Sequence, residues 1–96
     1  MMNKVLVKVY VPILEEQYDI LVPVNRRIYN IIRLLTKAIN ELSGGYYTPP
    51  QKPKLYDKIT AITYDENLSI RESNIRNGTK LILLWGYETK LKKYEL

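Results

Sequence analysis

The chain has no cysteine, no histidine and no phenylalanine among its 96 residues. Without cysteine it can form no disulfide and offers neither a thiolate nucleophile nor a cysteine ligand for a metal ion. Without histidine it has no imidazole base and no histidine-containing catalytic triad. Any catalysis would have to rest on carboxylate, lysine, tyrosine or hydroxyl groups. The lack of cysteine also agrees with a reducing compartment.

Long apolar stretches are lacking as well. The longest uninterrupted one covers residues 81–85 and has five residues, whereas a membrane-spanning helix needs about 20. The N-terminal region does not fit a signal peptide either, because Lys8 interrupts its apolar stretch and Glu15 and Glu16 follow without a small-residue cleavage site. We therefore expect a cytoplasmic protein without membrane insertion.

What is present is an ordinary globular composition with an excess of positive charge. The chain is 46% hydrophobic and 26% charged, with 15 Lys and Arg against 10 Asp and Glu, a net charge of +5. This length supports one domain with a single core. We expect that domain to cover residues 1–85, followed by a C-terminal tail over residues 86–96.

Two strands are predicted at the start of the chain. Residues 5–11 alternate with the period of two that is typical of a half-buried strand. Residues 18–24 repeat the pattern, and the short polar link between the two runs predicts a hairpin. Pro23 cannot donate a hydrogen bond to a neighbouring strand, so the second strand is expected at a sheet edge. The predicted inward side chains are Val5, Val7, Val9, Val11, Tyr18, Ile20, Val22 and Val24.

The period then changes to that of an amphipathic helix over residues 25–42. Asn25 is the predicted N-cap, and Gly44 and Gly45 follow where a left-handed backbone would end the helix. The helical stripe consists of Ile28, Ile31, Ile32, Leu35, Ala38, Ile39 and Leu42.

The second half of the chain contains shorter signals. Residues 45–53 include three prolines and two tyrosines and predict an irregular surface loop. Residues 55–57 and 59–64 predict one or two short strands, Ile70 and Ile75 flank a single helical turn, and residues 80–85 predict the last strand. Asn77 and Gly78 form a tight-turn signal just before it.

The order strand, strand, helix, strand, strand, short turn, strand predicts an α+β protein of the β-grasp type, a mixed sheet packed on one long helix. In this fold the first and last strands lie side by side at the sheet centre. Residues 70–83 resemble the corresponding part of ubiquitin in the spacing of their apolar residues, which are Ile70, Ile75, Leu81 and Leu83.

Within that superfamily the sequence most resembles the YukD and EsaB group of small bacterial ubiquitin-like proteins, encoded with WXG100-type (type VII) secretion systems. The resemblance covers residues 4–84 and rests on Tyr18, Asp19 and Ile20 running into a helix, and on the closing pattern Ile75, Asn77, Gly78, Leu81, Leu83 and Leu84. It implies an accessory or regulatory component that binds other proteins of the secretion machinery on its cytoplasmic side.

Ubiquitin-type modifiers and sulfur carriers end in Gly-Gly, which threads into the site of an activating enzyme. Here a single Gly86 is followed by ten further residues. We therefore do not expect conjugation or sulfur carriage. Enzymatic function is not expected either, because the acidic pairs Glu15–Glu16 and Asp65–Glu66 fall in turns and general acid–base catalysis needs a carboxyl group in a cleft. No cofactor and no metal ion are predicted.

Two binding surfaces remain as candidates. The outer face of the sheet, turned away from the helix, is predicted to carry a protein-binding patch. Alternation assigns Leu6, Lys8, Tyr10, Ile82 and Leu84 to this face, and the resemblance to ubiquitin implies that Leu84 and Tyr56 match members of its partner-binding patch. Such an apolar face needs a cover. The cover is either the tail, through Trp85, Tyr87, Leu91 and Tyr94, or a partner chain, which includes self-association, and the polar sequence of the tail favours a partner.

The second candidate surface is the basic face of the helix. Its residues are Arg26, Arg27, Arg33 and Lys37. Together with the tyrosines at positions 46, 47, 87 and 94, they leave a small nucleic-acid-binding module open as the alternative function. The competing interpretation is a solvated face that keeps the protein soluble, and we favour it over nucleic-acid binding.

Overall fold

The computed structural model describes residues 3–85. The elements in chain order are β1 (Lys4–Val11), a 3-10 turn (Pro12–Leu14), β2 (Glu16–Pro23), α1 (Ile28–Leu42), β3 (Lys54–Asp57) and β4 (Lys80–Leu84). The predicted tail and its anchors Tyr87, Leu91 and Tyr94 lie outside the described residues.

The strands form one mixed sheet in the order β2-β1-β4-β3. The two central strands are parallel, with Val9 opposite Leu81, while β2 and β3 pair antiparallel with their neighbours. The first and last strands therefore lie side by side, and the predicted β-grasp architecture is confirmed. β2 lies at the edge of the sheet. At this position the missing N–H of Pro23 does not cost the sheet a hydrogen bond between two central strands.

The core lies between one face of the sheet and α1. The inward valines of β1 at positions 5, 7, 9 and 11 are all buried, as their alternation predicts. The helix contributes Ile28, Ile31, Ile32, Leu35 and Ile39 to the same cluster, each with no exposed surface. The predicted stripe is too long by one residue, because Leu42 is 61% exposed at the end of the helix, beyond the edge of this cluster.

The predicted N-cap of the helix is wrong. α1 begins at Ile28 with Arg27 in the N-cap position and no side-chain cap. The first amides are satisfied by a distant loop instead, since the Ile28 and Tyr29 N–H groups donate to the Leu68 and Glu66 carbonyls at 2.8 and 3.1 Å. The C-terminal prediction is confirmed: Gly44 and Gly45 have φ of +72° and +90°, which favours glycine.

Residues 59–64 do not form the predicted strand. Ile59 and Ile62 are 84% and 66% exposed, and a single isolated bridge joins Thr63 to Tyr56. The physical reason is Asp57, whose carboxylate accepts the backbone N–H groups of the next residues and closes a turn. The sheet within residues 3–85 therefore has four strands.

Three further predictions concern the loop after the helix, the segment between Ile70 and Ile75, and the turn before β4. Residues 45–53 form the predicted irregular loop, although its Tyr47 and Pro53 are buried. Ile70 and Ile75 are buried as anchors of the predicted helical turn, in which the Ser73 N–H donates to the Ser69 and Ile70 carbonyls at 3.1 Å. The tight turn before β4 is confirmed by the φ of +84° at Gly78.

Candidate functional site: the outer sheet face

Three of the predicted patch residues meet on the sheet face turned away from α1. The strand register places Tyr10 of β1 opposite Ile82 of β4, and Ile82 opposite Tyr56 of β3. Residues directly opposite each other on adjacent strands have Cβ atoms about 5 Å apart. Tyr10, Ile82 and Tyr56 therefore form one continuous row across three strands, which we call the outer patch. All three side chains are half-buried.

A row of lysines borders the outer patch. Lys8 lies opposite Lys80 in the register of the central strands, and the Lys58 N–H donates to the Lys80 carbonyl at 3.0 Å. The Lys58 ammonium lies 4.9 Å from the centroid of the Tyr10 ring, within the range of a cation–π contact. Lys8 pairs with Asp19 at 3.6 Å. We call these three residues the lysine row; its Lys58 and Lys80 are exposed.

The other two apolar members of the predicted patch do not join it. Leu6 lies four positions from Tyr10 along β1, about 13 Å at 3.3 Å per residue, and is opposite Leu21 of the edge strand. Leu84 is predicted to be available to a partner, but it is 2% exposed. Alternation assigns a side chain to one face of a sheet without determining whether that face is covered at that point, so the prediction for Leu84 is wrong.

The turn over residues 57–62 begins where β3 ends, beside the patch. Asp57 Oδ1 accepts hydrogen bonds from the Ile59 and Thr60 N–H groups at 2.8 and 3.0 Å, and the Tyr64 hydroxyl donates to Oδ2 at 3.2 Å. The hydrogen bond from the Thr60 backbone is the main cause that lowers the pKa of Asp57. Burial, followed by the nearby Asp57 charge, raises the pKa of Tyr64. The carboxylate thus holds this turn in one conformation.

Acid is expected to open this turn. Because the folded pKa of Asp57 is lowered, its stabilising contribution is complete above its unfolded pKa and is lost as the pH falls through the folded pKa. We expect the Ile59 and Thr60 amide proton shifts to titrate together with a midpoint below 3.8, measured by NMR. The Asp57→Asn variant should abolish this transition, and a midpoint at or above 3.8 would contradict the assignment.

The predicted basic residues of the helix are all exposed. The guanidinium of Arg27 donates to the Asn67 carbonyl at 3.2 Å, so it holds the loop that supports the start of α1. Arg26, Arg33 and Lys37 line a common depression of about 360 Å³ on the helix surface. Of the tyrosines invoked for base stacking, Tyr46 is 82% exposed but Tyr47 is 3% exposed and has no free ring face to offer.

The two acidic pairs considered for catalysis differ in their surroundings: Asp65 lines a depression of about 420 Å³ together with Asp57 and Glu72. Glu15 and Glu16 are exposed at the hairpin, and Glu66 forms an ion pair with Lys52 at 2.6 Å. Among residues 3–85 no three acidic side chains converge in a way that would hold a metal ion. In the same part of the chain, α1 is neither long nor apolar enough to cross a membrane.

Comparison with known proteins identifies the fold through structure rather than sequence. Neither a protein-family model nor a curated protein matches this sequence. Among solved structures, the chain is similar to the ubiquitin-like domain of the Mycobacterium tuberculosis type VII secretion system protein EccD1, with a TM-score of 0.69 and 14% identity over 88% of this chain and 100% of that domain.

Two further structures show the same likeness. A chain of the MycP5-free ESX-5 inner membrane complex matches with a TM-score of 0.69 and 16% identity, over 99% of this chain and 28% of that one. A structure described as molecular mimicry of SUMO in DNA repair matches with a TM-score of 0.69 and 8% identity, over 88% of this chain and 95% of that one. The fold is therefore a ubiquitin-like β-grasp, and the resemblance to YukD and EsaB stays a prediction.

Proposed function

We propose that this chain is a non-catalytic, ubiquitin-like accessory module of a type VII secretion system, acting in the cytoplasm by binding another protein through the outer patch. The observation that carries the proposal is the row Tyr10, Ile82 and Tyr56, aligned in register across three paired strands. The likeness to the EccD1 domain supports the link to secretion.

The chemistry of the patch suits a protein partner. Aromatic side chains supply a large contact area for little loss of conformational entropy, and they are enriched among the residues that dominate interface energies. The sheet beneath them is already formed, so binding does not have to order the backbone. The exposed Lys58 and Lys80 at the border would pair with acidic groups on the partner and steer its approach.

Nucleic-acid binding is the second candidate, favoured only by the exposed Arg26, Arg33 and Lys37 and by the exposed ring of Tyr46. A single-strand binder stacks successive bases on several aromatic faces, and the burial of Tyr47 removes one of those on which this alternative depended. Retention on single-stranded DNA and RNA at low salt, lost steeply as salt rises, would support it. Absence of retention at low salt would end it.

The proposed function is tested by capture from the native cytoplasm followed by mass spectrometry. We expect the wild-type chain to recover a component of the secretion machinery. The Ile82→Glu variant should recover at least about tenfold less of it, because a charge in the centre of the outer patch must be desolvated on binding. Recovery of nucleic acid or ribosomal proteins alone would overturn the secretion assignment.

A matched control makes the capture specific to the patch. Ile13 lies in the turn between β1 and β2 and is 56% exposed, so Ile13→Glu introduces the same charge outside the outer patch. This variant should retain the partner.

Because Ile82 is half-buried, thermal unfolding of Ile82→Glu is measured in parallel, and the charge reversal Lys58→Glu, Lys80→Glu provides a second variant that leaves the apolar row intact. Equal recovery with all variants would contradict the proposed surface.

A further inference from the structure

A larger groove lies on the helix side of the domain, next to the depression lined by Arg26, Arg33 and Lys37 and away from the outer patch. It is a groove of about 630 Å³ between one flank of α1 and the irregular segment that leads to β3. We call it the helix groove. Its helix wall includes Arg33, Thr36 and Lys37, and its other wall includes Thr48, Pro49 and Pro50. A volume of this size is typical of sites that hold a small ligand or a short segment of chain.

The groove is built into the fold at both ends. At one end the Asn40 side-chain amide donates to the Tyr47 carbonyl at 2.9 Å, and the Gly45 N–H donates to the Asn40 carbonyl at 2.7 Å. At the other end Lys52 pairs with Glu66 at 2.6 Å, and Pro53 is buried. Prolines have a fixed φ and so add stiffness to the outer wall. The groove therefore needs no ligand to form it.

The charge of the groove has one sign. Three basic side chains line it and no acidic one does. Lys52 is neutralised by Glu66, but neither Arg33 nor Lys37 has an ion-pair partner among residues 3–85. They lie one helical turn apart on the same face, so their ammonium and guanidinium groups form a double positive site beside the apolar proline wall.

We propose that the helix groove binds an acidic, extended peptide segment of a partner protein, with carboxylates on Arg33 and Lys37 and an apolar side chain against Pro49 and Pro50. Prolines provide no backbone N–H, so recognition on that wall rests on apolar contact. The charge of the chain disfavours the chain itself as occupant: a second copy carries +5, and residues 86–96 hold three lysines against two glutamates. This site is separate from the outer patch and does not depend on its function.

The test is fluorescence anisotropy with a labelled, glutamate-rich peptide of about ten residues that has leucines at its centre, which in extended form is longer than the helix wall of the groove. A second peptide carries glutamine in place of every glutamate. We expect the acidic peptide to bind the wild-type chain and the double variant Arg33→Glu, Lys37→Glu to lose at least about tenfold in affinity. The glutamine peptide should bind at least about tenfold more weakly than the acidic one.

The matched control is the double variant Lys4→Glu, Arg71→Glu, at two exposed positions outside both the helix groove and the outer patch, which changes the net charge by the same amount. It should retain affinity within about threefold. Amide shift changes in labelled protein should concentrate at Thr36, Thr48 and Gln51, which line the groove.

Three results would overturn the proposal: no binding of the acidic peptide, an equal loss in both double variants, or tighter binding of a single-stranded oligonucleotide at the same residues. Partner capture through the outer patch is measured in a separate experiment, so a result that contradicts one of the two proposed sites does not contradict the other.

Discussion

Replacing Leu35 by alanine is expected to lower the free energy of unfolding by about 3–4 kcal/mol, the largest effect of any single substitution considered for this domain. Leu35 has no exposed surface and lies in the middle of α1, within the cluster that joins the helix to the valines of β1. The change removes buried apolar atoms and leaves a cavity that the surrounding sheet and helix fill only partly. For a domain of this size the loss is a large share of the total stability.

The adjacent residue provides the control. Leu34 is in the same helix and is 41% exposed, so Leu34→Ala removes the same atoms from the same element at a position outside the core cluster. We expect it to change stability by about 0.5 kcal/mol or less. Urea unfolding followed by circular dichroism measures both variants. Similar losses for the two would contradict the assignment of the buried face of α1.

The parts of the fold that were predictable are those with a strong periodic signal. The alternating valines of β1 and the helical stripe of α1 each repeat one pattern over several turns or pleats, and packing the two against each other satisfies both. The prediction of Asn25 as the N-cap was wrong because two distant carbonyls, those of Leu68 and Glu66, accept the hydrogen bonds of the first helical amides. The strand predicted for residues 59–64 does not form because the Asp57 carboxylate organises a turn there, although β propensity alone favours a strand.

The candidate site was predictable in part for the same reason. Period-two alternation assigned Tyr10 and Ile82 to one face, and the resemblance to ubiquitin added Tyr56. The β-grasp strand order then made the three residues neighbours. It could not show that Leu84 is covered. The helix groove was missed because periodicity does not show how the segment after α1 packs back against the helix. The available signal was a segment rich in proline beside a helix face of one charge.

Gly78→Val is expected to cost about 2 kcal/mol. Gly78 has φ of +84°, and a Cβ built there would meet no atom within 4 Å, so the cost comes from the backbone conformation alone. The turn cannot relax easily because it is joined to β1 on both sides of Leu6. The Gly78 N–H donates to the Leu6 carbonyl at 2.7 Å, and the Leu6 N–H donates to Asn77 Oδ1 at 2.7 Å.

Gly78→Asn separates backbone strain from the loss of glycine itself. Asparagine occupies the left-handed region far more readily than a β-branched residue, so it should cost about half as much as valine, measured by the same urea unfolding. If valine and asparagine cost the same, the penalty does not arise from the positive φ. Because the turn precedes Lys80 and Ile82 in β4, slippage of the strand would also shift the lysine row and the outer patch. The valine variant should therefore perturb amide shifts along β4 more than the asparagine variant does.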